Sequence, residues 1–164
     1  QVSTKQWPLA SFVTLGKELQ ARGWQVAYLG GAGDLGALLL PEGALNLLGK
    51  TTVPEAAAVL ARAAALCGND SGLFHLAQAL DCPALGIFGS TSPRFTGPFR
   101  PKAATAVLQA AVPCAGCYLH ECAPPAEVLA LGLDRPCCMH AVTVTQAVHE
   151  LEAVARHVSP SVHP

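Results

Sequence analysis

The chain has 164 residues, 51% of them hydrophobic and 13% charged, with a formal net charge of −1. This length suits one ordinary domain with a real core, and so little charge favours elements buried on both faces. The weak net charge and the lack of any Lys/Arg cluster exclude a nucleic-acid surface. Gly, Pro or charge interrupts every apolar stretch well short of about 18 residues, which excludes a transmembrane segment. No leader pattern is visible at Gln1, where the chain starts too abruptly to show one lying upstream.

In chain order, residues 8–22 carry Phe12, Leu15 and Leu19 on one face and stop at Gly23, which predicts a helix with a C′ glycine. Residues 25–29 form a strand pattern that runs into Gly30-Gly31-Ala32-Gly33-Asp34. A second short strand over 44–48 delivers Gly49-Lys50-Thr51-Thr52. Thr52-Val53-Pro54-Glu55 is a capping box, and Ala56, Val59, Leu60 and Ala63 continue it as a buried helical stripe. The apolar run Ala63 to Cys67 predicts a short buried strand, followed by the turn Gly68 to Gly72 and a helix with Leu73, Leu76, Ala77 and Leu80 on one face. Strands over 83–88 and 105–111 follow, the second weaker. Thr143 to Gln146 caps a last amphipathic helix over 143–158, and the Ser/Pro/His tail at 159–164 is expected to be disordered. Alternating strands and helices predict an α/β fold with a largely parallel sheet and right-handed crossovers. Its ligand crevice is expected at the strand carboxyl ends, where the loops 30–34, 49–52, 68–72 and 89–97 emerge.

The turn at 68–72 carries the most chemistry. A strand, a small polar turn and a helix leave the first helical N–H groups and the positive end of the macrodipole facing a site for an anion. Asp70 or Ser71 serves as N-cap, and Gly72 has no Cβ to obstruct a phosphate. His75 lies one turn after Ser71 on the same face and leans back over the turn. Junctions of this kind occur in most α/β domains, so the wording around the turn has to decide.

GNDSGLFHLAQALDCPALGIFGSTSP, together with Lys5-Gln6-Trp7-Pro8, Leu29-Gly30-Gly31, Gly49-Lys50-Thr51 and the terminal cysteine run, resembles the ADP-heptose:lipopolysaccharide heptosyltransferases of glycosyltransferase family 9. The resemblance covers nearly the whole chain but only the carboxyl-terminal half of such an enzyme. It implies a Rossmann-like parallel sheet flanked by helices over 1–142, the donor domain of a GT-B transferase. The amino-terminal acceptor domain, and the strand that precedes Lys-x-Trp-Pro in the family, would lie outside this sequence. Transfer would invert the anomeric centre and need no metal cofactor. The general base would come from the absent domain, so the chain alone would bind donor and turn over little or nothing.

By the same resemblance Lys5 contacts phosphate and stabilises the leaving group. The amides of Ser71, Gly72 and Leu73 cradle the diphosphate, and Asp70 accepts from sugar hydroxyls. His75 donates to phosphate or sugar, Asp34 grips the ribose diol, and Thr51 approaches the nucleoside. Partners would be an ADP-sugar and a lipid-linked or oligosaccharide acceptor reached through the other domain. The place of work would be the cytoplasm, peripheral to the inner face of the plasma membrane. A non-catalytic nucleotide-binding module and a zinc-stabilised structural domain stand as alternatives.

Seven cysteines, an odd number, argue against a secreted disulfide framework. Cys67 and Cys82 read as buried small hydrophobes. The loop 113–139 holds the rest. Cys114-x2-Cys117-x4-Cys122 with Cys138 has the spacing of a structural zinc or iron–sulfur site, with His120 and His140 as substitute ligands. Packed free thiols and a disulfide remain open alternatives.

Overall fold

A computed structural model describes residues 3–34, 40–98 and 104–156, the Asp34 side chain excepted. After a 3-10 turn at Ser3–Lys5, helix α1 spans Leu9–Ala21 and leads to strand β1, Ala27–Tyr28. Strand β2 is Leu45–Asn46, followed by helix α2, Val53–Leu60. Strand β3 (Leu66–Asn69), helix α3 (Gly72–Ala79), strand β4 (Ala84–Phe88), the short helix α4 (Pro93–Thr96) and strand β5 (Thr105–Gln109) complete the alternation. Two further short helices, α5 (Ala126–Leu129) and α6 (Cys137–His140), interrupt the cysteine-rich loop before helix α7, Val144–Arg156. The tail at 159–164 lies outside the described residues.

The caps form as expected. The Thr52 N–H and hydroxyl both donate to Glu55 Oε2, at 2.8 and 2.7 Å. Thr143 N–H donates to Gln146 Oε1 at 2.9 Å, and Gln146 N–H returns a bond to Thr143 Oγ1 at 3.3 Å. The strand expected over 63–67 starts three residues later. Arg62 and Ala63 N–H groups bond back to Val59 and Leu60 carbonyls, so the end of α2 consumes the segment that apolarity alone assigned to the strand.

Among the described residues all pairing is parallel, but the sheet is in two parts: β1 with β2, and β3-β4-β5 in that order. Central β4 is buried along its whole length, as a strand covered on both faces must be. Its side chains alternate between two cores. Leu85 and Ile87 enter a cluster with Trp7, Leu15, Leu19, Met139, Val148 and Leu151, under α1 and α7. Ala84 and Phe88 enter another with Leu60, Phe74 and Ala77, under α2 and α3.

A cleft of about 1880 Å³ separates the two parts, with Val26–Leu29 on one wall and Leu66–Asn69 on the other. The carbonyls of Val26, Tyr28 and Gly30 accept from Leu45, Leu47 and Gly49. Ala27 and Leu29 therefore turn their backbone groups away from β2. Leu66 and Asp70 N–H groups donate to Pro83 and Ile87, so Ala65, Cys67 and Asn69 turn theirs away from β4. Two parallel edges thus face one gap, and among the described residues neither pairs with a further strand. Cys67, expected in the core, is only half-buried on this wall, while Cys82 is buried.

Candidate functional site

The site is built at the carboxyl ends of β3 and β4, where the amino-terminal segment is fastened across them. Trp7 N–H donates to Asn69 Oδ1 at 2.9 Å, and the Trp7 indole N–H donates to the Val142 carbonyl at 2.9 Å. The buried Thr4 hydroxyl lies 2.7 Å from the Leu119 carbonyl and 3.0 Å from Ser90 Oγ, and Ser90 N–H donates to the Thr4 carbonyl at 3.3 Å. Lys5, between these anchors, places its ammonium 3.5 Å from Asp70 Oδ2.

Asp70 ends the β3 turn with a side chain only 5% exposed. Burial alone would raise its pKa. The Thr91 and Thr96 hydroxyls, the Lys5 ammonium and His75 outweigh it and hold the carboxyl below its ordinary range. Thr96 Oγ1 lies 3.1 Å from Asp70 Oδ2, and His75 Nε2 lies 3.2 Å from Oδ1. The Thr91 hydroxyl, beside the same carboxylate, is buried and makes no hydrogen bond of good geometry.

Next comes the helix N-terminus. Ser71 is the N-cap of α3, with φ −152° and ψ 171°, and its hydroxyl caps no N–H of its own helix. The N–H groups opening α3 have no intrahelical acceptor. The space a side chain at Gly72 would fill is empty. The arrangement offers one ammonium, a row of amides and a charged acceptor within one cavity. Groups of this kind in one cavity can hold an anion such as a diphosphate.

Lys5, Thr51, Asp70, Ser71, Gly72, Leu73 and His75 all line that cavity, so the structure brings seven expected residues together. The Asp34 side chain lies outside the described residues, although its backbone closes a 3-10 turn, Ala32–Asp34. Thr51 and Thr52 reach the cavity on the far wall, where Gly49, at φ +65°, packs so closely on Ala32 that a side chain there would collide. Sequence reading missed Asn69 and Thr96. The first was visible in the motif but without a role; the second lies 26 residues from its partner and only folding joins them.

The cysteine loop corrects an expectation. Zinc at Cys114, Cys117, Cys122 and Cys138 was one reading beside free thiols and a disulfide, and it finds no support: among the described residues no group of three or more His, Cys, Asp or Glu side chains is placed to hold a metal ion. All seven cysteines are free thiols. Burial pushes the Cys114 thiol up and the Cys138 thiol up to about 11, with the neighbouring cysteines adding to both shifts.

The family model "Glycosyltransferase family 9 (heptosyltransferase)" matches residues 1–124. Lipopolysaccharide heptosyltransferase 2 of Salmonella typhimurium is 39% identical over 108 residues, 60% of this chain and 31% of that protein. Lipopolysaccharide heptosyltransferase 1 of Pseudomonas aeruginosa is 35% identical over 163 residues, 92% of this chain and 44% of that one. Among solved structures, the E. coli ADP-heptose lipopolysaccharide heptosyltransferase II superposes with a TM-score of 0.70 at 27% identity, covering 93% of this chain and 43% of that one. The chain therefore spans less than half the length of these relatives. Its parallel sheets flanked by helices have the architecture of GT-B heptosyltransferases.

Proposed function

This chain belongs to glycosyltransferase family 9, and on that premise we propose that it is the donor-binding half of an inverting transferase. The donor is an ADP-sugar, with heptose as the leading candidate because the relatives are heptosyltransferases. The acceptor is of the lipopolysaccharide-core type. One observation carries the reading: Lys5 reaches the α3 turn across the ends of β3 and β4 and sits 3.5 Å from Asp70. A cation beside free helix amides can stabilise a departing diphosphate without metal.

In this reading the diphosphate lies on the amides of Ser71, Gly72 and Leu73. Lys5 turns from Asp70 to the phosphate oxygens as negative charge builds on the leaving group. Asp70 takes a sugar hydroxyl, His75 donates at the rim, and Thr51 and Asp34 belong to the nucleoside side. The base that deprotonates the acceptor belongs to an acceptor domain in the rest of a longer polypeptide, which also supplies one parallel strand to the cleft between β1 and β3. A cytoplasmic place of work, at the inner face of the plasma membrane, follows from an acceptor of that type.

Calorimetric titration with ADP-heptose, ADP and a UDP-sugar in the presence of chelator tests this. The reading expects both ADP compounds to bind and the UDP-sugar to bind more weakly. Absence of ADP binding, or binding that chelator abolishes, contradicts it. Binding without any transfer by this chain is equally what a non-catalytic nucleotide-binding module would give; restoring the second domain separates the two, since only a transferase then turns over.

A further inference from the structure

The two oxygens of Asp70 are not equivalent. Oδ2 faces the Lys5 ammonium at 3.5 Å and the Thr96 hydroxyl at 3.1 Å. Oδ1 has His75 Nε2 at 3.2 Å, and that imidazole is half exposed. Each carboxylate oxygen accepts at about two lone-pair positions. Oδ2 thus has two contacts from within the protein, and Oδ1 has its contact from a side chain at the rim.

Thr96 reaches this point from α4, a turn held at both ends. Ser92 Oγ accepts from Arg94 N–H at 3.3 Å, and Pro93 opens the helix. At Gly97 any side chain would collide with the Pro93 carbonyl. Thr96 Oγ1 also lies 3.3 Å from the Ser92 carbonyl. It has a single proton to give, and the shorter contact to a charged acceptor wins over a neutral carbonyl. The neighbouring Thr91 hydroxyl, buried and without a partner of good geometry, lies beside the same carboxylate.

We infer that Thr96 is a positioning residue that fixes the rotation of Asp70 and so sets how its carboxylate is presented to a hydroxyl of the donor's sugar. This rests on the donor reading above and adds to it a residue that selects the sugar rather than the nucleotide. The α4 turn thereby becomes a specificity element, acting through the carboxylate that the sugar meets.

The test compares ADP with ADP-heptose on the whole chain by calorimetry. Thr96→Val is expected to weaken ADP-heptose roughly tenfold, about the value of one hydrogen bond to a charged group, and to leave ADP within about twofold. Thr96→Ser, which keeps the hydroxyl, is expected to bind both as the parent does. An NMR titration of the Asp70 carboxyl supplies a ligand-free readout: its pKa rises in Thr96→Val and not in Thr96→Ser. Equal weakening of both ligands in Thr96→Val means a merely structural role and overturns the inference. So does parent-like ADP-heptose binding, an unmoved Asp70 titration, or failure of Thr96→Ser to restore binding. A parent chain that binds no ADP overturns the donor reading, and this inference with it; one that binds ADP normally while Thr96→Val changes nothing sinks the inference alone.

Discussion

The two sheet segments of this domain are built differently. The β3-β4-β5 segment has a fully buried central strand, a core on each face and an amino-terminal segment bonded across its end. The β1-β2 segment pairs over two residues and leaves Leu45 56% exposed. Yet the proposed site draws on both, since the loops after β1 and β2 face the α3 turn across the cleft. The charge chemistry lies on the well-packed side, where Asp70 is held by four neighbours. The proposed nucleoside side rests on the lighter segment. A phosphate receptor needs fixed dipoles, and the proposed one lies beside the segment with a core on each face.

Four measurements break or sharpen that contrast. The largest effect is expected at Trp7, 2% exposed and hydrogen-bonded at both nitrogens. Trp7→Ala should cost about 3–5 kcal/mol in urea unfolding and should also release the Lys5 segment; a loss below 1 kcal/mol would show that the segment is not anchored. Hydrogen exchange should then separate the segments. Amides of Leu85 and Ile87, inside the ladder, should be protected at least about a hundredfold more than those of Ala27, Leu29 and Cys67 on the open edges. Equal protection would mean that the edges are paired in solution.

The third effect is smaller and depends on pH. The Asp70 pKa is lowered in the folded state, so its contribution to stability is complete above the unfolded value of about 3.9. That contribution is lost as pH falls through the lower folded value. Asp70→Asn should flatten the fall in melting temperature as pH drops below about 4; an unchanged slope would contradict the carboxylate network. The smallest effect belongs to the light segment: Leu45→Ala should shift stability by no more than about 0.5 kcal/mol.

Much of this was legible in the sequence because it is local. The capping boxes at Thr52 and Thr143, the α3 stripe and the continuous apolar run of β4 each need only neighbours within a few residues. The β3 start was misplaced because Ala63 suits a strand interior and a helix end equally well, and backbone bonds to α2 decided. The Thr96–Asp70 contact was invisible because no local period links positions 70 and 96. The zinc reading found no support for a reason that spacing cannot show: the fold brings the Cys117 and Cys122 thiols near enough to help raise the pKa of Cys114 and Cys138, yet among the described residues no group of three or more ligands is placed to hold a metal ion. The division into two sheets was hidden for a similar reason, since pairing partners of β1 and β3 are not encoded in the strands themselves.

The most direct test is an ADP titration followed by NMR at the backbone amides, with Lys5→Ala and Gly72→Val alongside the parent chain. The account predicts saturable shifts at Ser71, Gly72 and Leu73. It predicts affinity at least about tenfold weaker in Lys5→Ala, and loss of those shifts in Gly72→Val. Saturable ADP binding that leaves the three amides unmoved, or that both variants retain at parental strength, would contradict it.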